Sequence, residues 1–133
     1  MTRSVLARST GGSNQAELLG SLAEAARFAA WLHADMADAG TARTYYRVAI
    51  DATRRAEHGL LTAYMTRSLA QFELDEDPLL GLRLLARART VMGDRPPPAA
   101  RAWLACVEAF AEVSYVLTST LPGAPSSTRH FGP

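Results

Sequence analysis

The side chains in this sequence with the means to do chemistry are few, and they are scattered. His33, His58 and His130 stand in separate segments, and none lies three or four residues from a second histidine or a cysteine. A helix needs that spacing to turn two ligands towards one metal, so no metal site is expected. His58 precedes Gly59 and is expected to lie at a helix end, where a partial positive charge is favourable; His33 reads as a helix-face residue and His130 as part of a tail. Cys106 is the only cysteine, which excludes an internal disulfide and every zinc site with two thiolates. As a nucleophile it would need an electropositive surrounding, yet Glu108 and Glu112 follow on its own segment; between Trp103 and Phe110 it reads as a small core residue. Ser114 and Ser119 lack the Gly-x-Ser-x-Gly elbow of a hydrolase.

The densest acidic cluster is Glu73, Asp75, Glu76 and Asp77. A calcium loop starting at Asp75 would want a central Gly and a Glu at its twelfth position, and Ala86 stands there instead, so the cluster reads as a solvated helix terminus. The only adjacent glycines, Gly11 and Gly12, are not followed by the Lys that a phosphate-binding loop requires, and the chain contains no Lys at all. Nothing points to a cofactor, and the expectation is a protein that is not an enzyme.

Composition narrows the partners. With 133 residues, 48% of them hydrophobic, one domain with a real core is expected. The net charge of +1 is too small for a field that gathers nucleic acid or an anionic membrane. Every basic residue is Arg, a bias typical of GC-rich coding and no sign of phosphate recognition. Arg83, Arg87 and Arg89 fall short of a basic recognition helix and have no aromatic neighbours on which bases could stack, so direct nucleic-acid contact is not expected. The opening residues MTRSVLARSTGGSN hold no apolar core of about seven or more residues as a leader has, and no run approaches the roughly 18 needed for a membrane span. A cytoplasmic location follows as the expectation.

Behind these residues the patterning is helical. Residues 1–14 and 118–133, rich in Ser, Thr, Gly and Pro, are expected as a flexible arm and a disordered tail around a helical domain over 15–117. From Gln15 to about Ala37, Leu18, Leu22, Ala25, Ala29, Leu32 and Met36 recur by threes and fours and predict a helix that buries this stripe. A second helix runs from Thr41 to Ala56 through Tyr45, Val48, Ile50 and Ala52, and a third from about Leu60 to Leu74 through Leu61, Tyr64 or Met65, Leu69 and Phe72. Pro78 to Met92 is a fourth, with Leu80, Leu84, Leu85, Ala88 and Val91 inward. Beyond Pro96, Pro97 and Pro98, Ala99 to Leu117 is a fifth, through Trp103, Val107, Phe110, Val113 and Leu117. No stretch alternates at period two, so the fold class is all-α: antiparallel helical hairpins, about five helices.

A repeat underlies the pattern. Tyr45, Tyr46 and Ala49 recur in kind as Leu84, Leu85 and Ala88, each set 39 residues on and each preceded by a small residue, Ala42 or Gly81. A small residue, an aromatic or Leu four later and an Ala three beyond resembles the second helix of a tetratricopeptide repeat. Over roughly Ala30 to Val113, WLHADMADAGTARTYYRVAIDATRRAEHGLLTAYMTRSLAQFELDEDPLLGLRLLARART and RAWLACVEAFAEV resemble the tetratricopeptide-like C-terminal regulatory region of actinobacterial Xre-type helix-turn-helix transcriptional regulators. The usual turn Gly is replaced by Ala37 and by Glu76, and the residues ahead of the repeats do not read as a helix-turn-helix.

That resemblance implies a concave groove lined by the first helix of each hairpin, in which an extended peptide lies. The spacing supplies a matching polar stripe: Glu24, Arg27 and Trp31 in the first helix, and Tyr64, Arg67 and Gln71 in the third, each at i, i+3 and i+7. Each stripe joins an aromatic to an Arg, the types enriched in binding hot spots. The leading expectation is therefore a non-catalytic protein- or peptide-binding module, the sensing part of a regulator without its DNA-binding domain. The alternative is a small enzyme or ligand-binding protein with an apolar pocket lined by Trp31, Tyr46 and Met65. A homodimer closed by Trp103 and Phe110 on the last helix is a third reading.

Overall fold

The computed structural model describes the backbone of residues 2–120 and the side chains of residues 14–120. Five helices follow in order, α1 Thr2–Asp35, α2 Ala39–Arg55, α3 Gly59–Glu73, α4 Pro78–Met92 and α5 Pro98–Thr120, with no strand among the described residues. α1 packs on α2 and α3 on α4; α2 meets α3, α4 meets α5, and lighter contacts join α1 to α3 and α3 to α5. Short loops between packed neighbours turn the chain back each time. The fold is all-α.

Three boundaries carry the architecture. The side chains of Asp38, His58 and Asp77 accept the backbone N–H of Thr41 (3.3 Å), Leu61 (3.1 Å) and Leu80 (3.1 Å), capping α2, α3 and α4. The bonds to Thr41 hold the Asp38 carboxyl below the usual carboxylate range. His58 thus starts a helix rather than ending one, which corrects the expectation of a positive imidazole at a helix C-terminus. α2 ends at Arg55, and Glu57, just before His58, takes a left-handed φ of 55°.

Of the residues spaced 39 apart, Tyr45 is exposed and Leu84 half-buried, while the others are buried. Ala42, Tyr46 and Ala49 of α2 and Gly81, Leu85 and Ala88 of α4 all face inward. At Gly81 a Cβ would run into the Leu74 side chain and lie 3.3 Å from the Ala70 carbonyl, so the smallest residue allows α4 to close on the end of α3. A buried carboxylate fixes the next junction: Glu73 is 4% exposed and accepts from Arg43 Nε at 2.6 Å and Nη2 at 3.0 Å, tying α3 to α2. That bond raises the Arg43 pKa above its ordinary value. Arg89 Nε donates to Glu108 at 3.2 Å and ties α4 to α5 at the surface.

The terminal helices differ from the reading of the pattern. α1 starts at Thr2, so it takes in the residues expected as a loose arm; adding a residue to an existing helix is far cheaper than nucleating one, and Gly11 and Gly12 do not stop it. Thr118 to Thr120 form the last turn of α5, and the rest of the expected tail lies outside the described residues. More consequentially, α1 buries Ala23, Ala26 and Ala30, while Leu18 (62% exposed), Leu22, Leu32 and Met36 of the expected core stripe face solvent. In α5 the buried residues are Ala100, Leu104 and Ala111, and Phe110, Val113 and Leu117 are exposed. Cys106, expected in the core, is exposed as well. Ala49 and Ala52 of α2 meet Ala23 and Ala26 of α1 in one cluster, and such alanine contacts draw helix axes closer than leucines allow.

Two outcomes test these junctions. Replacing Glu73 by Ala leaves Arg43 without its partner; full burial would cost about 3–5 kcal/mol, and because Arg43 is partly solvated a loss of about 2 kcal/mol is expected in urea unfolding. Ala37, at φ 61°, carries a left-handed strain of about 1–2 kcal/mol that Gly does not, so Ala37→Gly should raise stability by about 1 kcal/mol.

Candidate functional site

Along one side of the molecule, α1, α3 and α5 present their side chains to a shared trough. From α1 come Arg27 and Trp31, from α3 Tyr64, Arg67 and Gln71, and from α5 Trp103. One hollow of about 370 Å³ is lined by Arg27, Trp31, Tyr46, Tyr64, Arg67 and Gln71, among others. A second, of about 330 Å³, lies between Tyr64 and Trp103 and is floored by Leu61 and Ala100. Tyr64 lines both, so the two hollows adjoin at its side chain. The trough runs on past Gln71 and Phe72 to Arg43, Asp75 and Glu76.

Arg67 is the centre of this arrangement. Its guanidinium lies 4.8 Å from the Tyr64 ring centre and 4.9 Å from that of Trp103, so one cation touches two rings. Tyr64 meets Trp103 edge to face at 6.1 Å, and Arg27 lies 5.4 Å from the other approach to Tyr64. Four side chains from three helices thereby form one aromatic and cationic cluster. Polar partners are fewer: Arg67 Nη1 donates to Gln71 Oε1, and its buried Nε has no hydrogen-bond partner. Burial pulls the Arg67 pKa below its ordinary value; Tyr64 opposes that pull, and the nearby charge of Arg27 adds to it less strongly. Arg27 is compensated by Glu24 at 3.2 Å, whereas no ion pair engages Arg67 among the described residues. The site therefore holds a guanidinium that stays positive, since even a lowered Arg pKa is far above neutrality. Its positive charge and desolvated surroundings favour an acceptor group at the exposed part of the guanidinium, above all a carboxylate.

Of the six residues singled out from spacing, five line the trough and Glu24 lines a separate hollow with Gly20 and Ala56. Arg27, Trp31, Tyr64, Arg67 and Gln71 share one hollow, and Glu24 reaches the group through Arg27. Trp103 is the member that spacing misses as a site residue: its place in an apolar stripe reads as core, and only the stacking of α5 on α3 carries it to Arg67. The apolar pocket expected from Trp31, Tyr46 and Met65 does not form as one site. Trp31 and Tyr46 share the trough, while Met65 is fully buried against Ala23, Ala26, Ala49 and Ala52. No group of three or more His, Cys, Asp or Glu converges on a metal position among the described residues. No helix there is long and apolar enough to cross a membrane.

Comparisons with models of protein families, with curated proteins and with solved structures find no match for this chain. The trough stands on its own geometry.

The double ring contact makes Arg67 structural as well as exposed to a ligand. At about 0.5–1 kcal/mol for each cation–π contact, Arg67→Ala should cost about 1–2 kcal/mol in urea unfolding and should shift the emission of Trp103 to the red as water reaches its ring.

Proposed function

We propose that the chain is a non-catalytic interaction module that binds an extended protein or peptide segment in the trough across α1, α3 and α5. The observation that carries this reading is the convergence of Arg27, Tyr64, Arg67 and Trp103 from three helices, with the Arg67 charge left uncompensated by any ion pair among the described residues. Such a floor suits an acidic group flanked by apolar side chains: the carboxylate pairs with Arg67, and the neighbours lie on the open faces of Trp31 and Trp103. An open trough admits a chain passing through it, whereas a small metabolite is mostly enclosed by its site.

The resemblance of the repeats to regulatory regions of Xre-type transcriptional regulators gives this module a biological role, the sensing or interaction part of a bacterial regulator acting inside the cytoplasm. In that role DNA contact belongs to a different segment or partner, in keeping with a net charge of +1 and no basic recognition helix.

A peptide array with systematically varied acidic and apolar positions, followed by titration of the best peptide, tests the proposal. The only two tryptophans both line the trough, so binding should be read directly in their fluorescence. Trp31 is 54% exposed, and Trp31→Ala should weaken binding at least about tenfold, or about 1.4 kcal/mol, while shifting the melting temperature by less than about 2 °C. Binding should also weaken with added salt. An array without acidic hits, or a peptide that binds Trp31→Ala as well as the parent chain, overturns the reading.

A further inference from the structure

The stripe on α1 that stays out of the core has a period of its own. Leu18, Leu22, Ala25, Ala29 and Leu32 on α1, and Met36 in the turn just beyond its end, follow one another by four, three, four, three and four residues, the d and a positions of consecutive heptads. A helix packing on an ordinary globular core shows a wider stripe, and a strict seam of this kind is the contact line for another helix alongside. Among the described residues no helix covers it. Leu18 and Met36 are 62% and 63% exposed, and Leu22 and Leu32 are exposed too. Phe28, on the flank of the seam, is 57% exposed.

We infer that this seam is covered by the same seam of a second copy of the chain, the two α1 helices running antiparallel about a two-fold axis near residue 27. The order of sizes along the seam is what selects the occupant. It reads large, large, small, small, large, large, so reversing it changes nothing in kind. Antiparallel pairing sets each d position opposite an a position: Leu18 meets the partner's Met36, Leu22 meets the partner's Leu32, and Ala25 meets the partner's Ala29. The alanines sit at the crossing point, where the helices come closest, and the larger side chains fill the widening gaps on both sides. Phe28 falls beside the axis and faces its own symmetry mate. The helix dipoles oppose, and no seam position carries a charge.

The area is sufficient. With Phe28 and Tyr45, which stacks on His33 at the edge of α1, the seam exposes on the order of 600 Å² of apolar surface per protomer, and specific interfaces bury about 600–1,000 Å² per partner. A patch of that size is at the upper limit of what monomers leave uncovered. The exposed stripe on α5 lacks the same symmetry: Cys106, Phe110, Val113 and Leu117 paired in this way would set Cys against Leu and Phe against Val. Arg27 and Trp31 line the trough from a neighbouring side of α1, and the two surfaces meet where Phe28 stacks on Trp31 at 6.1 Å.

Light scattering on the full chain at micromolar concentration should give twice the 14.3 kDa chain mass. Leu22→Glu and Leu32→Glu should each raise the dissociation constant at least about tenfold with unchanged far-UV circular dichroism, since both side chains are exposed in the protomer, whereas Phe110→Glu should leave the dimer intact. In a Cys106→Ser background, chains with Leu22→Cys should cross-link to chains with Leu32→Cys, and neither should cross-link to itself. This second measurement holds even if a charged variant fails to fold. A monomeric parent chain, a dimer dissolved only by Phe110→Glu, or self-linking of Leu22→Cys overturns the inference.

Discussion

Close contact between small residues is the constraint on which this structure rests. Ala23, Ala26 and Ala30 on α1, Ala42, Ala49 and Ala52 on α2, Ala63 and Ala70 on α3, and Gly81 and Ala88 on α4 are buried. Helices joined through such residues approach at the short end of the usual 8–10 Å axial separation. The backbone occupies much of the interior, and only a few large side chains, such as Met65, Leu85 and Leu104, are completely enclosed. The bulk of the larger apolar side chains on the terminal helices is therefore displaced outward, where it is available to other molecules.

Polar contacts then set angle and register in an interior that is otherwise uniform. A stack of alanine faces could slide at little cost, because one small residue looks much like the next. The forked bond from Arg43 to buried Glu73 admits one alignment of α2 on α3, since the carboxylate has no other ion-pair partner among the described residues. The side-chain caps at Asp38, His58 and Asp77 define where each helix starts and so which residues face the neighbour. Asp38 and Asp77 are themselves 39 residues apart, the spacing that also separates Ala42, Tyr46 and Ala49 from Gly81, Leu85 and Ala88.

α1 consequently serves three surroundings at once. One side is alanine and packs on α2, a second carries Arg27 and Trp31 into the trough, and a third presents the leucine seam. A helix with three committed sides gains little from a large overall amphipathicity, and its pattern is correspondingly hard to read. In the two proposals self-association and partner recognition use neighbouring sides of α1, joined where Phe28 stacks on Trp31.

By itself the sequence determined the number of helices, their loops, the 39-residue repeat with its buried triplets, and the Arg and aromatic stripes of α1 and α3. Those features are local: they depend on period, on breakers such as Pro78 and Pro96, and on residues of one helix sharing a side. Which side of α1 and α5 is buried was decided only by tertiary structure. Periodicity reports where apolar side chains cluster, and the packing instead selected the flatter alanine side because it permits closer approach. The position of Trp103 over Arg67 and the pairing of Arg43 with Glu73 were likewise absent from the pattern, since each joins residues of different helices whose relative placement no local spacing encodes. His58 was legible as a boundary residue, but its role at the start of α3 required knowing that the turn closes at Glu57.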